Sequence, residues 1–259
     1  MLTNLKGKTA FVTGGADSLG RECAINLAKS GANIVVADLN VEKAQEVAEE
    51  LQKTHGVKAW AQKIDLWNWE SCRDSCKEAI EKAGKIDILV ASGATTPKYA
   101  KFAHEYNPAE DFEGIYRTQM WSRLYPVYGL LDHMRENNYG KIVIITSDSG
   151  RTPTPKEAYI GACAAGLIVA DKVFAKEWAR WGIRVNTICL TIINNSAAMR
   201  ATMADPERAK LFQKTFDRAK FGVPEPIDVA EAALYFASPE SDKITGSVFS
   251  VNGGLSFPG

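Results

Sequence analysis

The chain has 259 residues, 46% hydrophobic and 24% charged, and its 31 basic and 31 acidic side chains cancel to a formal net charge of zero. A chain of this size buries enough apolar surface to fold without a metal or disulfide staple. Its charge balance gives no general attraction to nucleic acid or anionic lipid.

The first residues, Met1 to Lys8, lack the apolar stretch of a signal peptide, and no run is expected to span a bilayer. The five cysteines (Cys23, Cys72, Cys76, Cys163, Cys189) are odd in number and contain no C-x-x-C pair, which predicts reduced thiols in the cytoplasm. Cys72 and Cys76 lie one helical turn apart and read as a helix face, because no second cluster completes a metal site. Secreted, membrane, disordered and zinc-scaffold classes are excluded on this reading.

Short apolar runs then alternate with longer amphipathic stretches. Strands are predicted at Thr9–Thr13, Asn33–Asp38, Lys58–Asp65, Asp87–Ser92, Lys141–Ser147, Arg184–Cys189 and Ser247–Val251. Helices are predicted near 19–30, 41–54, 69–83, 111–137, 155–180, 206–219 and 227–237. Unbroken apolar runs such as Ile142-Val143-Ile144-Ile145 suit strands buried on both faces of a parallel sheet. The alternation predicts an α/β fold: one Rossmann-like domain over residues 1–259, a doubly wound parallel sheet of about seven strands with helices on both faces.

Three local features carry finer expectations. Thr154-Pro155-Lys156-Glu157 offers Thr154 as an N-cap, Pro155 at the first helical position and Glu157 closing a capping box. Pro126 should kink the 111–137 helix. That helix carries more aromatic surface than one sheet can cover, including Trp121, Tyr125 and Tyr128, and the 155–180 helix adds Trp178. Aromatics in such numbers point to an interface.

The first strand ends in Thr13-Gly14-Gly15-Ala16-Asp17-Ser18-Leu19-Gly20 and opens a helix. A glycine-rich turn at a helix N-terminus suits a pyrophosphate. Asp38, at the end of the second strand, can bind an adenine ribose and repel a 2′-phosphate. Asp17 either sets a like charge beside the phosphate site or caps the following helix.

These segments resemble the short-chain dehydrogenase/reductase (SDR) family across essentially the whole chain. The T-G-x-x-x-G-x-G turn maps onto Thr13 to Gly20, with Ser18 in place of the middle glycine. The resemblance further matches Asp65, the Gly140–Gly150 segment with Ser147 as catalytic serine, Ile183 to Asn186, and Ile244 to Gly254. It assigns Tyr159 as the catalytic tyrosine, but Cys163 stands where the family lysine belongs and Gln119 where the asparagine belongs. The N-N-A-G turn reads Ala91-Ser92-Gly93-Ala94, the Pro-Gly pair reads Leu190-Thr191, and Asn195 takes the place of a carboxamide-binding threonine.

What the resemblance implies is an NAD-dependent oxidoreductase. Ser147 and Tyr159 form its remnant catalytic pair, and Gly14, Ser18, Leu19, Gly20, Asp38, Asp65 and Gly93 line a weakened cofactor site. A nearby cation lowers an acid's pKa by about 1–3 units, so a tyrosine without its lysine is a poor proton carrier. Cys163 is too short and too neutral to replace it. The expected role is therefore a subunit with a degenerate site, joined through the 111–137 and 155–180 helices to an active paralogous SDR subunit in a heterotetramer. An active NAD-dependent SDR dehydrogenase and a nucleotide-sensing regulator are the alternatives. The substrate is a small molecule; Arg200, Arg208, Lys210, Lys214, Arg218 and Lys220 in a substrate loop near 191–222 either form a solvated helix face or meet an anionic substrate such as a CoA thioester. Neither nucleic acid nor membrane is an expected partner.

Overall fold

Seven apolar runs become strands because only a doubly covered parallel sheet can bury both their faces. A computed structural model of the chain describes residues 3–93, 97–196, 199–200, 203–204, 206, 209 and 216–257. The strands are β1 (Thr9–Thr13), β2 (Asn33–Asp38), β3 (Ala59–Lys63), β4 (Ile88–Ala91), β5 (Gly140–Ser147), β6 (Ile183–Leu190) and β7 (Val248–Val251). All pairs are parallel, in the order β3-β2-β1-β4-β5-β6-β7. The order reverses between β1 and β4, and a crevice opens there at the carboxyl ends of the strands.

The helices are α1 (Ser18–Lys29), α2 (Val41–His55), α3 (Trp69–Ala83), α4 (Pro108–Tyr116), α5 (Ser122–Glu136), α6 (Ala158–Trp178) and α7 (Pro226–Ala237). Alternate strand residues serve opposite layers. Val12, Val36 and Val90 meet α1, α2 and α7, while Phe11, Val35 and Leu89 meet α3, α5 and α6. Asn40 and Asn68 cap α2 and α3, accepting from the amides of Lys43 at 2.9 Å and Ser71 at 2.7 Å.

Several local expectations need correction. The predicted 155–180 helix begins at Ala158, after Pro155 and Lys156 turn outside it. Lys156 has φ +70°, which no helix accommodates, and the Thr154 hydroxyl donates to the Thr152 carbonyl rather than capping. The predicted 111–137 helix begins three residues earlier and is broken by a π-turn at Arg117–Trp121. The irregularity thus lies a turn before Pro126. The segment Ala158–Trp181 is long and apolar enough to cross a membrane, contrary to the expectation that no run is. Here it lies against the sheet, with Leu167, Ile168 and Trp178 buried. Most of the predicted 206–219 helix lies outside the described residues, as do Ala94, Arg208, Lys210 and Lys214.

Within α6, Asp171 is only 1% exposed and one carboxylate oxygen accepts the Thr187 hydroxyl at 2.7 Å, while the other has no partner. Burial pushes its pKa from 3.8 up to about 7. The folded state therefore favours the protonated acid. Stability tied to this group is fully present below the unfolded value and is lost as pH rises through the folded one. Asp171→Asn should raise stability at pH 8 by up to about 4 kcal/mol and change little at pH 4. Denaturant unfolding at the two pH values measures this.

Candidate active site in the crevice

The crevice encloses about 680 Å³ and is lined by Gly14, Ser18, Leu19, Gly20, Asp38, Asp65 and Gly93, together with Gln119 and Ser147. Seven predicted cofactor positions thus converge on one cleft. Tyr159 and Cys163 are not among its lining residues.

The turn between β1 and α1 is tight because Gly20 packs on it. A Cβ there would lie 2.2 Å from the Gly14 carbonyl oxygen. Ser18 carries a side chain at φ +51°, in the left-handed region where glycine is favoured. Three backbone amides of the turn are occupied by the chain itself. Gly15 donates to the Ala37 carbonyl at 3.1 Å, Ala16 to Asp38 Oδ2 at 3.1 Å and Ser18 to Asp17 Oδ1 at 2.7 Å. Asp17 therefore caps α1, and it also pairs with Arg200 at 2.9 Å and Lys43 at 3.4 Å. Partial burial raises the Asp17 carboxyl's pKa, but hydrogen bonds from Arg200 and the Ser18 amide outweigh this and hold it below the usual value. A turn so furnished does not fit the diphosphate of a dinucleotide.

At the other end, Ser147 sits in a hydrogen-bond network with Ser149 and Glu157. Its hydroxyl donates to Glu157 Oε2 at a long 3.4 Å and accepts from the Ser149 amide at 3.1 Å and the Ser149 hydroxyl at 2.8 Å. The Ser149 hydroxyl has a single proton to divide between Ser147 Oγ and the Glu157 carboxylate, so the three side chains form one shared network. Burial pushes the Glu157 carboxyl up, while the Ser149 and Ser147 hydroxyls pull it back.

Tyr159 sits among aromatic side chains. Its ring packs on Phe112 at 4.4 Å and Tyr106 at 4.8 Å, in a cluster with Tyr99, Ile115, Met120 and Cys163. The α6 face turned to the Ser147–Gly150 loop is built from small residues instead. A Cβ on Gly161 would lie 2.7 Å from the Ser149 carbonyl, and one on Gly150 would lie 2.9 Å from the Ala164 Cβ. Burial pushes the Cys163 thiol up to about 11, against the opposing charge of Arg123; a thiol so held is not a nucleophile. Leu190 and Thr191 line the crevice, whereas Asn195 turns its amide to Glu225 Oε2 at 2.9 Å.

Arg123, which the motif reading passed over, lines the crevice one helical turn beyond Gln119. It is 4% exposed and donates to the carbonyls of Ile145 at 3.1 Å, Ser92 at 3.4 Å and Thr118, and to Ser122 Oγ at 2.9 Å. Its guanidinium lies against Gly93, where a Cβ would come within 2.3 Å of Cζ. Burial lowers its pKa to about 10, so it remains a cation at neutral pH. Replacing it leaves buried carbonyls at the ends of β4 and β5 unsatisfied, each costing about 1–3 kcal/mol. Arg123→Met should therefore lower stability by at least about 2 kcal/mol, read as a drop in Tm.

A family model described as enoyl-(acyl carrier protein) reductase matches residues 14–256. A 2,3-dihydroxy-2,3-dihydro-p-cumate dehydrogenase of Pseudomonas putida is 30% identical over 252 residues, covering 96% of this chain and 95% of that one. Among solved structures, a 7α-hydroxysteroid dehydrogenase complexed with NADH and 7-oxo glycochenodeoxycholic acid superposes with a TM-score of 0.88 at 29% identity, covering 97% of this chain and 95% of that one. A gluconate 5-dehydrogenase from Burkholderia cenocepacia, in complex with NADP and tartrate, gives 0.86 at 26%, covering 97% and 96%. With the sheet order and the crevice as described, this chain belongs to the short-chain dehydrogenase/reductase family.

Proposed function

We propose that this chain is the non-catalytic subunit of an NAD-dependent oxidoreductase, giving shape and support to an active SDR paralogue. The observation that carries this reading is the Ser147 hydroxyl tied to Glu157 and Ser149 while the Tyr159 ring packs in an aromatic cluster. In this family the serine holds a substrate oxygen while the tyrosine moves its proton. Here the serine proton is directed at Glu157, and Tyr159 lies in the aromatic cluster. The occupied amides of the α1 turn argue in the same direction, so NAD is assigned to the partner's crevice.

The outer faces of α5 and α6 supply the docking surface. Tyr128 is 48% exposed, Val169 62% and Val173 45%. Behind them Phe174 and Trp178 stack at 4.3 Å, with Tyr128 edge-on to both. Apolar side chains this exposed on two adjacent helices suit a helix-to-helix contact with a related subunit in a heterotetramer. The pattern of lost motifs resembles the non-catalytic subunit of 2-(hydroxybenzyl)succinyl-CoA dehydrogenase of anaerobic toluene degradation. On that resemblance the assembly oxidises a hydroxyacyl-CoA to its ketone in the cytoplasm.

A second reading, an active NAD-dependent dehydrogenase using Ser147 and Tyr159, is favoured by one observation: Asp38 and Ser147 still line a single cleft. A regulator that senses nucleotides draws on the same cleft. Co-expression separates these readings. Tagged chain should retain an untagged SDR partner, and only the complex should turn over substrate. Ser147→Ala and Tyr159→Phe in this chain should leave that turnover within about twofold. A homo-oligomer that turns over alcohols alone, and stops on Tyr159→Phe, would establish the second reading instead.

A further inference from the structure

We infer that Asp17 supplies the chain's own anion to the place where a nucleotide diphosphate would lie, and so determines that the crevice rejects phosphate-bearing ligands. The inference rests on reading the crevice as an SDR dinucleotide site, but not on the subunit role proposed above.

The helix α1 N-terminus attracts negative charge through its free amides and dipole. Asp17 meets that demand internally. Its Oδ1 takes the Ser18 amide at 2.7 Å, while Arg200 donates to both oxygens at 3.0 and 2.9 Å. Lys43 approaches Oδ2 at 3.4 Å. An arriving diphosphate would therefore meet a carboxylate already seated at the helix terminus, and the two cations that flank it are already paired with that carboxylate.

The ion pair by itself is a weak device. Asp17 is 45% and Arg200 50% exposed, and such surface pairs contribute little. Exclusion comes from the fixed carboxylate, because the helix cap holds it at the turn whether or not Arg200 stays. Neighbouring Ser18, strained at φ +51°, adds a side chain where backbone would have to approach phosphate. Asp38 lies outside this arrangement: it binds the Ala16 amide and still faces the crevice. The unphosphorylated part of an adenine nucleotide is thus not a target of the exclusion, and adenosine serves as the control.

Calorimetric titration of the full chain with NAD, ADP and adenosine tests the inference. Asp17→Asn removes the charge at constant size, and Asp17→Ser removes it with a shorter side chain. Both residues cap helices well, so both variants should keep their fold, which thermal unfolding checks. Each should raise affinity for ADP and NAD about tenfold or more, as expected for a unit charge at roughly 4 Å, and leave adenosine unchanged. Arg200→Gln should give no such gain. The inference fails if the unaltered chain binds ADP as tightly as the variants. It also fails if adenosine gains equally, or if Arg200→Gln alone matches Asp17→Asn. A chain that binds NAD tightly yet co-purifies with a partner would overturn this inference and leave the subunit reading standing. Exclusion relieved at Asp17 in a chain that assembles and turns over alone would do the reverse.

Discussion

Parallel strands all end on one side of the sheet, and there the chain must satisfy carbonyls and helix amides that no ladder reaches. In a binding protein some of those groups are left for a ligand. Here the chain's own side chains take several of them. Arg123 collects carbonyls from the ends of β4 and β5 and from the π-turn, Asp17 takes the first amide of α1, and Asp38 takes the Ala16 amide. Thr13 and Ser92 close the remaining gap, with the Ser92 amide donating to Thr13 Oγ1 at 3.1 Å and the Ser92 hydroxyl to the Thr13 carbonyl.

Arg123 shows how the cost of such a solution is met. A guanidinium carries five donors in a fixed fork, and a buried one is stable only when most of them find oxygen. The π-turn makes this possible. Within the π-turn at Arg117–Trp121 the Thr118 carbonyl is taken by Ser122 Oγ at 2.6 Å and by Arg123. Helix irregularity and buried cation are thus one arrangement.

Much of this was legible in the sequence. The bounds of β1 and β2 follow directly from Thr9–Thr13 and Asn33–Asp38, because apolar runs between turn residues have one good solution in a parallel sheet. The crevice residues follow too, since a glycine turn and an acid at the end of β2 must meet where strand order reverses. Side-chain direction was less legible. Tyr159 and Cys163 sit on one stripe of α6, but whether that stripe faces Ser147 depends on where the helix starts. Lys156 at φ +70° moves that start to Ala158. Arg123 escaped because no local pattern marks a cation whose partners are main-chain carbonyls from other elements.

The helix α6 joins the two consequences of this arrangement. Its inner face is small where it meets the Ser147–Gly150 loop, with Gly161 and Ala164 fixing the approach, and large where it meets the sheet. Its outer face holds Val169 and Val173 in solvent. Neither face needs a cofactor to hold its position, because the core beneath is closed by Leu167, Ala175 and Trp178, and the loop above by Ser149 and Glu157. A chain whose crevice edge is satisfied from within can keep the α5–α6 surface in a fixed shape without any ligand. That property would serve the supporting role proposed for the chain, whereas a catalytic role would need its serine, tyrosine and helix amides open to substrate and cofactor.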